Sequence, residues 1–237
     1  NIRLFVAVIV PISVLLILGI SKIYSSYDTY NRLSSVVDVT GQIKTASDLI
    51  HSLQVERGTT AGFLSSKGRN LINDLATARE NANIALEQFA SMKHKMNTKE
   101  LKSLEIITNQ INSYLDKLPK MREGISGLNI SGAESFRYYN ATIASIKSFI
   151  TYEILAGEEG NITSDLIAYS QLLSAKELAG QERGLGAGVI SAGKFDQARF
   201  AAFLGKSAAQ KALLDSYLNL QPEERANLYR TRFIESG

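Results

Sequence analysis

Apolar residues recur every three to four positions through most of this chain, and the strict alternation of a half-buried strand is absent. The pattern predicts helices from end to end. It opens on an almost wholly apolar run, Leu4 to Ile20, that continues unbroken into a stripe of Leu33, Val36, Val37, Ile43, Ala46, Leu49, Ile50 and Leu53. This first long helix should end near Gly68. A second is expected over about Leu71 to Lys95, with Leu75, Ala78, Ala82, Ala85, Leu86 and Phe89 inward. Asn97, with Glu100 three residues on, reads as the N-cap of a third helix running from about Lys99 towards Pro119. Gly124 to Gly132 reads as a loop. Ser131 and Glu134 have capping-box spacing at the head of a fourth helix that reaches about Ala156.

Gly157-Glu158-Glu159-Gly160-Asn161 reads as a turn, and a long fifth helix follows from about Thr163 to Ser191. Ala192-Gly193-Lys194 should break it before a sixth, from about Asp196 to Leu220. Pro222 then starts a last helix, with Glu223 and Glu224 in the first turn where the dipole favours acids. Burying these stripes calls for an all-α fold, read as a long-helix bundle of two stacked up-down bundles sharing two long helices. One transmembrane helix is expected ahead of it. The Leu4–Ile20 run approaches the roughly 20 residues needed to cross a bilayer. Arg3 and Lys22 bracket it, and Tyr24 and Tyr27 follow at interfacial depth. A cleaved signal peptide competes with this reading, but no small-x-small cleavage site follows the run. The expected division is residues 1–22 as anchor and residues 23–237 as an extracytoplasmic domain.

A phrase that occurs twice changes the picture from architecture to chemistry. Glu56-Arg57-Gly58-Thr59-Thr60-Ala61-Gly62-Phe63-Leu64-Ser65 returns as Glu182-Arg183-Gly184-Leu185-Gly186-Ala187-Gly188-Val189-Ile190-Ser191. Glycine inside a helix costs about 1 kcal/mol relative to alanine, so Gly180, Gly184, Gly186 and Gly188 together cost roughly 3–4 kcal/mol. Gly58 and Gly62, like Gly184 and Gly188, lie four apart and share a helix face that would allow close backbone approach. Arg57 and Arg183 directly precede these glycines. Brought together, two planar guanidinium forks would hold a small flat anion, with Glu56 and Glu182 orienting them. The residues leave a second arrangement open: Arg57 with Glu182 and Arg183 with Glu56 across a helix crossing, fixing register alone.

Composition narrows the other classes. A net charge of +3 without a clustered Lys/Arg block argues against a nucleic-acid partner. With no cysteine, disulfides, thiolate catalysis and cysteine-ligated zinc are excluded. His51 and His94 lack company at ligand spacing, so no metal or other cofactor is expected. No paired acids or nucleophile elbow points to an enzyme. Tyr138 and Tyr139 read as packing residues.

The chain resembles the NIT family, the nitrate- and nitrite-sensing domain of bacterial receptors and regulators. The resemblance is carried by Gln54-Val55-Glu56-Arg57-Gly58-Thr59-Thr60-Ala61-Gly62-Phe63-Leu64, by Lys176-Glu177-Leu178-Ala179-Gly180-Gln181-Glu182-Arg183-Gly184, and by Phe200-Ala201-Ala202-Phe203-Leu204, within a span of about Ile43 to Phe233. It implies an all-helical sensor in which Arg57 and Arg183 bind nitrate or nitrite, supported by Glu56, Gly58, Gly62, Glu182, Gly184 and Gly188. Family members belong to chemotaxis receptors, histidine kinases, nucleotide cyclases and an antiterminator. The apolar run favours the receptor types. The expectation is therefore a homodimeric receptor in a bacterial inner membrane, with a periplasmic sensor that passes a helix shift across the bilayer. A bundle receptor for another small ligand, such as an organic acid, and a structural or dimerisation module with salt-bridged arginines are the alternatives.

Overall fold

The computed structural model describes residues 2–96, 102–156, 160–192 and 196–234, with side chains left undescribed at 2–11, 95, 160–162, 190–192 and 233–234. Among the described residues the fold is all-α. Its helices are α1 (Ile2–Ser65), α2 (Ile72–Lys95), α3 (Lys102–Leu115), α4 (Leu118–Ser126), α5 (Gly132–Ala156), α6 (Gly160–Ala192), α7 (Gln197–Asn219) and α8 (Glu223–Tyr229), and a π-helical turn closes the chain over Arg230–Ile234. The expected cap at Asn97 with Glu100, the Gly157–Glu159 part of the expected turn and the break at Gly193-Lys194 lie outside the described residues.

The chain divides into two units, Asn1–Gly41 and Gln42–Gly237. The first is the leading part of α1. Among the described residues no helix is long and apolar enough to cross a membrane. The transmembrane anchor expected over residues 1–22 is not supported. Leu33 and Val37, assigned to the inward stripe, are exposed here.

In the second unit the 3.6-residue stripes become the core. Ile43, Ala46, Leu49, Ile50 and Leu53 of α1 are buried, as are Leu75, Ala78, Ala82, Ala85 and Phe89 of α2. Facing them, α5 buries Tyr139, Ile143, Ile146, Phe149 and Ile150. The Phe89 and Phe149 rings meet edge-on with centroids 5.7 Å apart, the arrangement that ring quadrupoles favour. Both α1 and α5 touch helices of two groups. On one side lie α2, α3 and α4, joined through Phe89, through Tyr138 Oη donating to the Tyr114 carbonyl, and through Arg122 on Glu56. On the other lies α6, joined through Glu177, which α7 extends through Lys206.

Two junctions differ from expectation or explain it. Pro119 does not end a helix but stands in the first turn of α4, where its missing N–H leaves nothing unpaired. Buried Leu118 and Ile125, seven apart, then hold α4 on the core, so the loop shrinks to Gly127–Ser131. At its far end the Glu134 amide donates to Ser131 Oγ at 3.1 Å, the forward half of the expected box. At the α1–α2 turn Gly68 has φ +74, and its amide closes a bond to the Phe63 carbonyl. Leu71, also left-handed at φ 62, lays its side chain over Gly62.

Candidate functional site

Arg57 sits in the last three turns of α1, on a face buried between α5 and α6, and is only 4% exposed. A permanently charged fork at that depth must be paired and hydrogen-bonded. Its Nη1 donates to Glu177 Oε1 of α6 at 2.5 Å and to Asn140 Oδ1 of α5 at 2.5 Å, while Nη2 reaches Glu177 Oε2 at 3.3 Å. The Phe136 ring of α5 covers the guanidinium with its centroid 5.2 Å away. The edge of the fork runs against Gly180, where a Cβ would stand 2.8 Å from Nη2. The Glu177 carboxylate is itself 4% exposed. It accepts two further bonds, from Gln54 Nε2 and Gln181 Nε2, each 2.7 Å.

Glu56, one residue earlier, points the other way. It is fully buried and accepts Arg122 Nε and Nη2 at 2.7 Å each, with Tyr139 Oη at 2.8 Å. Arg79 Nε stands at 3.7 Å, an ion pair too long to be a hydrogen bond. Burial lowers the basicity of Arg122, but its bonds to Glu56 outweigh this and raise it. Burial, then the Glu56 charge, pushes the Tyr139 phenol far above its usual range, so it stays a donor.

The second copy of the phrase has a different environment. Arg183 is exposed and makes no ion pair among the described residues, and Glu182 is half-buried without one. Neither Arg57–Glu182 nor Arg183–Glu56 pairing forms. The glycines also part company. A Cβ on Gly184 would stand 2.6 Å from the Phe136 ring and one on Gly62 2.4 Å from Leu71 Cδ1, whereas Gly58 and Gly188 face open space. The structure does not bring the two glycine pairs together. It does bring α6 to Arg57. Gly180 meets the fork, Glu177 lies one turn before it, and Arg183 lies one turn after it, about 4.5 Å along the axis. Arg183 therefore starts from the same side of α6 as the contact with Arg57.

A cavity of ≈ 170 Å³ opens beside this pair, between α5, α6 and α7. Asn140, Lys147, Ser174, Glu177 and Gln181 supply its polar wall, and Ile143, Leu178 and Leu213 are among its apolar lining. A water's share of liquid is about 30 Å³, so there is room for a small oxyanion and its shell. Glu177 and Asn140 both line the cavity and hold Arg57, and so stand between the two. Lys147 is half-buried and its ammonium makes no hydrogen bond among the described residues; burial lowers its pKa, and the charge of Glu177 partly restores it. Outside this site, His51 is exposed, with Nδ1 3.2 Å from Lys176 Nζ. No group of acidic or histidine side chains able to hold a metal occurs among the described residues.

Sequence reasoning missed Glu177, Asn140, Gln54 and Lys147. Glu177 and Gln54 fall inside the phrases that carry the resemblance, and Glu177–Gln181 has i,i+4 spacing. Asn140 and Lys147 are marked by nothing but their place on α5.

A family model described as nitrate and nitrite sensing matches residues 48–236, and the chain belongs to this NIT family. The nitrate regulatory protein of Klebsiella oxytoca is 26% identical over 200 residues, covering 83% of this chain and 49% of its own length. The chain thus spans about half of that curated relative. The solved structure of the NasR transcription antiterminator is similar in fold, with a TM-score of 0.81 at 20% identity, over 90% of this chain and 59% of that one. These relatives correct the functional expectation. They are named for nitrate regulation and transcription antitermination, not as membrane receptors. The chemotaxis-type receptor, its inner-membrane and periplasmic placement, and the signal passed across a bilayer are overturned by those names together with the absence of a crossing helix among the described residues. The membrane as partner falls with them, as does the exclusion of nucleic acid, since the similar solved structure is named as a transcription antiterminator. The homodimer, expected as part of that membrane receptor, loses its support with it.

Proposed function

We propose that this chain is the nitrate- and nitrite-binding module of a regulator of transcription, of the kind its relatives are named for. Family membership supports the ligand class. The observation that carries the site is Arg57, a bidentate cation buried where three helices meet, beside a cavity, its α6 contact Gly180 one turn from Arg183, which makes no ion pair among the described residues. Nitrate and nitrite are planar oxyanions, so adjacent oxygens match a guanidinium fork as a carboxylate does. Arg57 supplies the buried fork and Arg183 closes on the anion from the solvent side. Gly180 lets the α6 backbone come up to the fork, and Gly184 makes room for the covering ring.

Thermal unfolding in sodium nitrate tests this. At a hundredfold excess over Kd, a ligand bound only by the folded state adds about 2.7 kcal/mol. For a domain of this size each kcal/mol moves the midpoint by about 2–4 °C. Nitrate should raise the wild-type midpoint, sodium chloride at equal ionic strength should not, and Arg57→Ala or Arg183→Ala should each abolish the rise. The Arg57–Glu177 pair favours one competing reading, a structural salt bridge. In that case nitrate moves no midpoint at all.

A further inference from the structure

The place an anion would take on Arg57 is already filled, by a carboxylate of the protein itself. Glu177 presents two coplanar oxygens to Nη1 and Nη2, the geometry that one edge of a nitrate would offer. A tethered carboxylate competes at an effective concentration set by its short side chain, of order mM or above. To take the Nη1/Nη2 edge of the fork, nitrate has to displace Glu177 from it. A carboxylate buried to this degree is costly to strand, because removing its partner leaves an uncompensated charge.

Across the cavity Lys147 offers that partner. Lys147 lines the same space as Glu177, and its ammonium makes no hydrogen bond among the described residues and already feels the Glu177 charge. We infer that Glu177 is an internal occupant of the Arg57 fork, and that an incoming nitrate displaces it across the cavity towards Lys147. The inference rests on nitrate binding at Arg57. Arg57 and Glu177 are then paired both before and after: Arg57 first with Glu177 and then with nitrate, Glu177 first with Arg57 and then with Lys147, which gains a partner it lacked. The exchange also gives the ligand different contacts in two states, without which no signal follows. Before it, Glu177 ties α6 to α1; after it, the same residue ties α6 to α5. Gln181 extends the effect, since it donates to Glu177 while accepting from Lys206 of α7 at 2.6 Å.

Calorimetric titration of sodium nitrate into the purified chain separates the parts. Glu177→Gln keeps the shape and removes the competing charge, and should bind nitrate at least tenfold more tightly than wild type. Lys147→Met removes the receiving cation and should bind at least threefold more weakly. In Glu177→Gln/Lys147→Met no carboxylate needs a receiver, so the double variant should match Glu177→Gln. A folded Glu177→Gln that binds no more tightly than wild type overturns the inference while leaving nitrate binding intact. A Lys147→Met effect of equal size in both backgrounds also overturns it, by making Lys147 a direct contact of the anion. Should Glu177→Gln fail to fold, unchanged affinity in Lys147→Met alone overturns it. Absence of nitrate binding in wild type and all variants removes the nitrate reading and this inference together.

Discussion

At the scale of single residues, the buried carboxylates of this chain differ by what compensates them. Glu56 has Arg122 and a phenol, and Glu177 has Arg57 and two amides. Glu153 of α5 is also buried, at 6% exposed, but no side-chain hydrogen bond or ion pair holds it among the described residues, and burial raises its pKa to about 7. An acid whose folded pKa lies above its unfolded value favours folding while both states are protonated. That contribution is complete below the unfolded value near 4.5 and is lost as pH rises through about 7. Glu153→Gln should therefore match wild type in urea denaturation at pH 4.5 and exceed it at pH 8, by on the order of 1–3 kcal/mol. A constant difference at both pH values would mean that Glu153 finds compensation on folding. None of this was legible beforehand. The partners of Glu56 and Glu177 lie 66 and 120 positions away along the chain, and only the fold decides which acid meets which base.

At the scale of helices, periodicity did most of the work. The stripes on α1 from Ile43 onward and on α2 and α5 are buried much as the 3.6-residue pattern requires, because amphipathic spacing and burial are one constraint seen twice. What the pattern could not resolve were junctions. Pro119 is compatible with a helix end and with a helix start, and the choice rests on Leu118 and Ile125 reaching the core. The glycines show the same limit. Spacing puts Gly58 with Gly62 and Gly184 with Gly188, yet in each pair one position is packed and the other open. Gly58→Ala should raise stability by about 0.5–1 kcal/mol, since nothing meets the new methyl and the helix gains propensity. Gly184→Ala drives a methyl into the Phe136 ring and should cost about 1–3 kcal/mol, weakening nitrate binding as the ring shifts on Arg57. Equal effects of the two substitutions in chemical denaturation would remove this distinction.

At the scale of the molecule, a duplicated phrase does not make duplicated sites. The copy on α1 lies where α4, α5 and α6 converge, so Glu56 and Arg57 are both enclosed. The copy on α6 lies beyond Glu177, the last buried residue of that helix among the described ones, and Arg183 is open to solvent. The repeat singled out both arginines alike, but not that Arg57 would be locked in a buried ion pair while Arg183 makes none among the described residues. This asymmetry has a consequence that symmetric arginines could not produce. Without nitrate, Arg57→Ala strands the Glu177 carboxylate with amides alone. Breaking a buried pair from one side costs about 3–5 kcal/mol, so its midpoint should fall well below wild type. Arg183→Ala removes an exposed side chain that makes no ion pair among the described residues and should lie within about 0.5 kcal/mol of wild type. With nitrate present both should lose the ligand-dependent rise. The decisive measurement is thus Arg183→Ala: a variant as stable as wild type in chloride that no longer responds to nitrate places Arg183 on the anion rather than in the scaffold. One that still responds in full assigns the anion to Arg57 alone.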